Sequence, residues 1–155
     1  MKEYKKLIRV ILIICIAATL CFIWGHSVQS RAESAGESNS LLKLLAALAG
    51  KVGIYIDTSD DYLLRKLAHL AEYAALGAEF LSLIINEGKL SGKWMMNCAG
   101  LGLICAVIDE TIQIFSDRGS ALGDVWLDLA GTMAGMGIVY AVRLCILRKH
   151  FRPNQ

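Results

Sequence analysis

The sequence holds one proline in 155 residues, and charged residues make up only 19% of it. So little proline leaves long stretches with nothing to interrupt a helix. The net charge is +2, from 16 Lys and Arg against 14 Asp and Glu. A nucleic-acid binder carries a basic face, and this balance excludes one. Neither the HExxH pattern of zinc proteases nor the GxSxG nucleophile elbow occurs. Cys15, Cys21, Cys98, Cys105 and Cys145 all fall in apolar stretches without CxxC spacing. They read as small buried apolar side chains rather than a disulfide framework.

What the chain has instead is apolar sequence. Hydrophobic residues make up 55% of it, in long blocks. That excludes disorder and argues against a small soluble enzyme. The length fits one domain, residues 1–155. A bilayer span needs about 20 mostly apolar residues. Four stretches meet that need, at about residues 7–24, 62–85, 94–115 and 121–147. The expected fold is therefore all-α, an integral membrane four-helix bundle.

The first stretch follows a basic leader and ends in Phe22-Ile-Trp-Gly-His26. It lacks the small residues of a signal-peptidase site, so it is expected to remain as a span. Bulky Leu20 before Cys21 argues likewise against a lipoprotein site. Residues 41–56 are apolar but short, and Lys43, Gly50, Lys51 and Gly53 break them. An interfacial or re-entrant helix suits them better than a fifth span.

Charge sets the expected orientation. Lys2, Lys5, Lys6 and Arg9 precede or open the first span, Lys89 and Lys93 lie between the second and third, and Arg148, Lys149 and Arg152 end the chain. The long first loop is acidic, with Glu33, Glu37, Asp57, Asp60 and Asp61. The positive-inside rule puts both termini in the cytoplasm of a multi-pass protein of the cell membrane.

In that topology the ionisable residues gather at the outer end. Arg65, Lys66, His69 and Glu72 lie in the outer part of the second span, and Asp109, Glu110 and Gln113 in the outer part of the third. Arg118 sits in the turn, and Asp124 and Asp128 open the fourth. The first span leaves the membrane at Ser27 and Gln29. Arg65, His69, Glu72 and Glu79 share one helix face, as do Asp109 with Gln113 and Asp124 with Asp128. A charge at mid-bilayer costs about 2.5–3.5 kcal/mol, so such faces turn toward one another or toward a water-filled pocket. The plainer reading is interhelical ion pairs and snorkelling, which would suffice for Arg65 and Lys66. The helix dipole would likewise account for Asp124. Below the polar stripe, Gly131 and Gly135 form a GxxxG step, expected to pack within the bundle rather than between two copies.

At these residues the chain resembles the VanZ-like membrane proteins. The resemblance runs from Ser27 to Gly135. It rests on Arg65-Lys-Leu-Ala-His69 with Glu72-Tyr73, Asp109-Glu-Thr-Ile-Gln113, Phe115-Ser-Asp-Arg118, and Asp124 with Gly131 and Gly135. Two departures stand out. Asp128 occupies a place where the family often has Asn, and Ser116-Asp117 replaces a Pro-Gly step. The resemblance implies a role in resistance to teicoplanin-type lipoglycopeptides, as for the family's namesake, or in maintenance of the cell envelope of a Gram-positive cell.

Three kinds of function stay open on the residues. In the first, the chain binds an envelope ligand, a membrane lipid, a lipid-linked cell-wall precursor or a lipoglycopeptide. Arg65, Lys66 and Arg118 would engage anionic groups, and the acidic residues amines or hydroxyls. In the second, it is an intramembrane hydrolase or transferase. His69 would act as general acid or base, with Glu72, Asp109 or Glu110 as its carboxylate partners. A divalent metal held by His69, Asp109, Asp124 and Asp128 would serve the same chemistry. In the third, a small transporter, a midplane line of ionisable groups is wanting except for Glu79, and no inverted repeat is visible.

Overall fold

The computed structural model describes residues 2–28, 62–116 and 121–150. They form four helices: α1 (Lys2–Val28), α2 (Tyr62–Asn86), α3 (Gly92–Phe115) and α4 (Leu122–His150). Each is long and apolar enough to cross a bilayer. The fold is an all-α membrane bundle, as the run lengths predict. The expected interfacial helix at 41–56 lies outside the described residues, as do Gln29 and Arg118. The helices overrun the expected spans, most at the start of α1, where Lys2 to Lys6 are already helical. Hydropathy marks the lipid-embedded part, whereas backbone hydrogen bonding continues beyond it.

Local chemistry sets the ends. Gly88 has φ +71, a conformation that glycine adopts without a Cβ penalty. There α2 closes with Lys89 N–H donating to Ile84 O and Gly88 N–H to Ile85 O, at 3.1 and 3.0 Å. This paired closure satisfies two terminal carbonyls and turns the chain into α3. Ser91, in extended conformation, opens α3, and its carbonyl accepts from Met95 N–H at 2.9 Å. At the other end of α3, Ser116 N–H is shared between Ile112 O and Gln113 O.

The four helices pack side by side, and α2 also touches α3. The pair α2 and α4 packs most closely, α1 lies against α2 and α3, and α3 also borders α4. Small residues make the α2–α4 seam possible. A Cβ on Gly135 would collide with the Ala74 carbonyl oxygen, and one on Gly77 with that of Thr132. A Cβ on Gly131 would come 2.6 Å from the Leu70 carbonyl oxygen. The GxxxG step thus packs inside the bundle, as expected. Thr132 also fills the space beside Gly102 of α3, where a Cβ would lie 2.5 Å from its methyl carbon.

Helix α3 shows how sequence divides its faces. Its buried residues are Cys98, Gly102, Cys105, Ala106, Asp109, Glu110 and Gln113, one stripe at helical spacing. The stripe is small along most of its length and polar over its last turns. Leu101, Ile104, Val107, Ile108 and Ile114 are exposed on the remaining surface, where a bilayer would solvate them. The cysteines divide in the same way. Cys98 and Cys105 are buried, whereas Cys15, Cys21 and Cys145 are exposed. The expectation of five buried thiols is corrected for those three: Cys15 and Cys21 lie on α1, which buries only Ile23 and Ser27, and Cys145 lies on an exposed face of α4.

The end holding the chain start, the α2–α3 turn and the close of α4 is tied by surface contacts. Arg9 and Glu87 form a two-pronged ion pair with both contacts at 2.6 Å. The Asn86 amide donates to Lys5 O at 3.1 Å, and the Lys89 ammonium lies 5.2 Å from the Trp94 ring centre. A groove of about 640 Å³ opens nearby between α1, α2 and α4, lined by Leu12, Ile85, Val139 and Arg143 among others.

Candidate functional site

The opposite end collects the end of α1, the start of α2, the end of α3 and the start of α4. Alternating helix direction brings together residues far apart in sequence. Ser27 ends α1, His69 lies two turns into α2, Asp109 and Gln113 stand near the end of α3, and Asp128 sits two turns into α4. Ser27, Asp109 and Asp128 have no exposed surface, and Gln113 is also buried.

Asp109 is the hub. Its Oδ1 accepts a short hydrogen bond from the Ser27 hydroxyl, and its Oδ2 accepts one from the Gln113 amide at 3.0 Å. The Gln113 bond joins neighbours one turn apart on α3, whereas the Ser27 bond crosses to α1. His69 Nδ1 lies 3.8 Å from Asp109 Oδ2 and 3.8 Å from Asp128 Oδ1. One donor atom from each of His69, Asp109 and Asp128 fits within 4.8 Å of the others. Neither Asp128 oxygen accepts a hydrogen bond from a described residue. The Thr132 hydroxyl donates to the Asp128 carbonyl at 3.1 Å, leaving the carboxylate uncommitted. The Tyr73 hydroxyl, one turn beyond His69, is likewise buried without a hydrogen-bond partner among the described residues.

Other expected site residues surround this centre. Lys66 and Asp124 form a close ion pair between α2 and α4. Asp124 thus stands apart from the three other metal-ligand candidates, which the fold brings together. It stands one helical turn, about 5.4 Å, nearer the end of the bundle than Asp128, opposite a lysine rather than the histidine. Glu110 is buried, and its Oε2 accepts from Ala121 N–H at 3.0 Å, fastening the α3–α4 connection. Glu72 lies 3.6 Å from His26 Nδ1 and is half-buried. Arg65 is half-buried on the same helix. Glu79, deeper on the same α2 face, accepts from the Thr19 hydroxyl of α1 at 2.9 Å. The centre proper is thus His69, Asp109, Gln113 and Asp128 with Ser27. Where an open pocket was expected, its two carboxylates are fully enclosed.

Sequence reading assigned no role to His26, Thr19 or Thr132. Ser27 marks the end of the span and the start of the family resemblance in sequence, without a role of its own. The signal for Ser27 and His26 was their place in an apolar helix; for Thr132 it was its place four residues after Asp128, on the same stripe.

The fold and this centre define a class: an all-α membrane protein whose four described helices converge on an enclosed histidine–carboxylate cluster at one end. The chain belongs to the VanZ/LLP1 family, whose model it matches over residues 9–145. No curated protein and no solved structure matches it.

Proposed function

We propose that this VanZ-like protein acts at the outer face of the cell membrane. There its polar end engages the head group of a lipid-linked envelope molecule or of a lipoglycopeptide. The outcome is reduced action of teicoplanin-type antibiotics, or maintenance of the envelope itself. The observation that carries this reading is the convergence of all four helices on one polar cluster. A membrane bundle needs a few interhelical polar contacts, but intramembrane ionisable groups gathered at one end mark a site for a polar ligand. The positive-inside asymmetry supports an outward placement of that end. Lys66 and Arg65, half-buried beside the enclosed centre, supply cationic groups for a phosphate or peptide carboxylate. Arg118 joins them in this reading.

Expression in a susceptible Gram-positive host tests the proposal. Tolerance should rise more for a lipoglycopeptide than for a glycopeptide without the lipid. Absent or equal protection, with membrane insertion verified, leaves only the envelope-maintenance reading.

One observation favours a second reading, an intramembrane hydrolase or transferase. His69 lies 3.8 Å from each of two enclosed carboxylates, within reach of a proton exchange after modest closure. Purified protein incubated with lipid-linked cell-wall precursors would release a cleaved or transferred group under this reading. Unchanged precursors would end it.

A further inference from the structure

The least ordinary feature of the centre is Asp128. Its side chain is wholly enclosed, both oxygens lack a hydrogen-bond donor among the described residues, and it points at His69 and Asp109. A buried carboxylate without a donor is strongly disfavoured, and a second carboxylate beside it makes the arrangement worse. Asp109 is in a different state, already oriented by Ser27 and Gln113.

We propose that His69, Asp109 and Asp128 bind one divalent transition-metal ion of the zinc or manganese type. The donor set decides the class. One imidazole nitrogen with two carboxylate oxygens suits those ions, whereas calcium and magnesium take oxygen ligands. Two carboxylates also neutralise a dication, so the enclosed site carries no net charge. Donor atoms around a tetrahedral ion at about 2.1 Å lie roughly 3.4 Å apart. The two 3.8 Å separations from His69 Nδ1 approach that spacing, and all three donor atoms already lie within 4.8 Å of one another.

The surroundings fit a metal centre as well. Ligating carboxylates are commonly held by outer hydrogen bonds, which fix their orientation. Ser27 and Gln113 do this for Asp109, one on each oxygen. Thr132 pins the backbone of the Asp128 turn. Three protein donors leave a fourth position for an outside ligand.

The test uses full-length protein in detergent or nanodiscs, stripped with chelator and titrated with zinc and with manganese. Expected is about one ion bound per chain, with a rise in melting temperature on addition of metal. Asp128→Asn and His69→Gln should weaken affinity by more than about tenfold, and Gln113→Ala by about tenfold through Asp109. Glu79→Gln, deeper on the α2 face, should keep the parent affinity. Cobalt substitution gives a second readout, because its visible spectrum reports nitrogen and oxygen ligation and should change in His69→Gln. Helical, monodisperse parent protein that fails to bind stoichiometric metal overturns the proposal. So does metal held equally tightly by His69→Gln and Asp128→Asn. If those variants do not fold, the stoichiometry and cobalt spectrum of the parent decide alone. Antibiotic tolerance is a separate readout, so loss of metal binding and loss of phenotype can be told apart.

Discussion

The Ser27 hydroxyl of α1 hydrogen-bonds the Asp109 carboxylate of α3, a contact between residues 82 apart in the chain. Both side chains are fully buried. The bond fixes α1 to the bundle at its only buried polar residue. It also leaves Asp109 Oδ2 to Gln113 and the His69 side. Replacing Ser27 by Ala should cost about 1–3 kcal/mol, because a buried acceptor loses its donor. Thermal unfolding in detergent measures it, and Ser27→Thr, which restores a hydroxyl, should recover part of the loss.

The α2–α4 seam makes a sharper prediction. Gly131→Leu and Gly135→Leu should lower membrane accumulation severely, since a side chain there meets the Leu70 or Ala74 backbone, which cannot move aside. Gly77→Ala should fail similarly against Thr132. Gly137→Ala is the control. Nothing lies within 4 Å of a Cβ at that position, so the change should stay within about 0.5 kcal/mol. Quantitative membrane abundance separates the two classes.

The polar end should respond differently. His69→Ala, Glu72→Gln, Asp109→Asn and Arg118→Ala should reduce function by about tenfold or more while the protein still accumulates. Abundance set beside antibiotic tolerance checks this. If abundance falls in step with function, the cluster is structural glue.

At the other end, the Arg9–Glu87 pair predicts a pH dependence. The hydrogen bond from Arg9 holds the Glu87 carboxyl below its usual range. A lowered folded-state value means that the pair's stabilisation is present above the ordinary carboxylate pKa. It fades as pH falls through the lowered one. Melting temperatures of parent and Glu87→Gln should therefore differ at neutral pH and converge in acid. The difference should be small and salt-sensitive, because the pair is exposed.

Orientation is testable directly. A reporter fused after Gln155 should be active only in the cytoplasm. Activity of an extracytoplasmic reporter there would place the His69–Asp109–Asp128 end on the inner face instead.

The sequence by itself determined the four helices and the gathering of ionisable residues at one end. Both follow from one-dimensional patterns. Apolar run length answers to bilayer thickness, and residues three or four apart share a helix face whatever the partner is. It also marked Gly131 and Gly135 as a packing step, because a small-residue stripe is visible without knowing what approaches it. Only the tertiary structure decided the pairings. Lys66 and His69 both lie on α2 near acidic residues of α4, yet one turn of helix gives Asp124 to the lysine and Asp128 to the histidine. Glu79 shares a face with His69 in sequence, but depth sets it against Thr19 of α1. Ser27 became the donor to Asp109 because α1 and α3 pack against each other. Such choices depend on the relative height and rotation of helices joined by connections, and these are set by how closely α2 and α4 approach at Gly77, Gly131 and Gly135. That approach is a property of surfaces in contact, which no single helix carries in its own sequence.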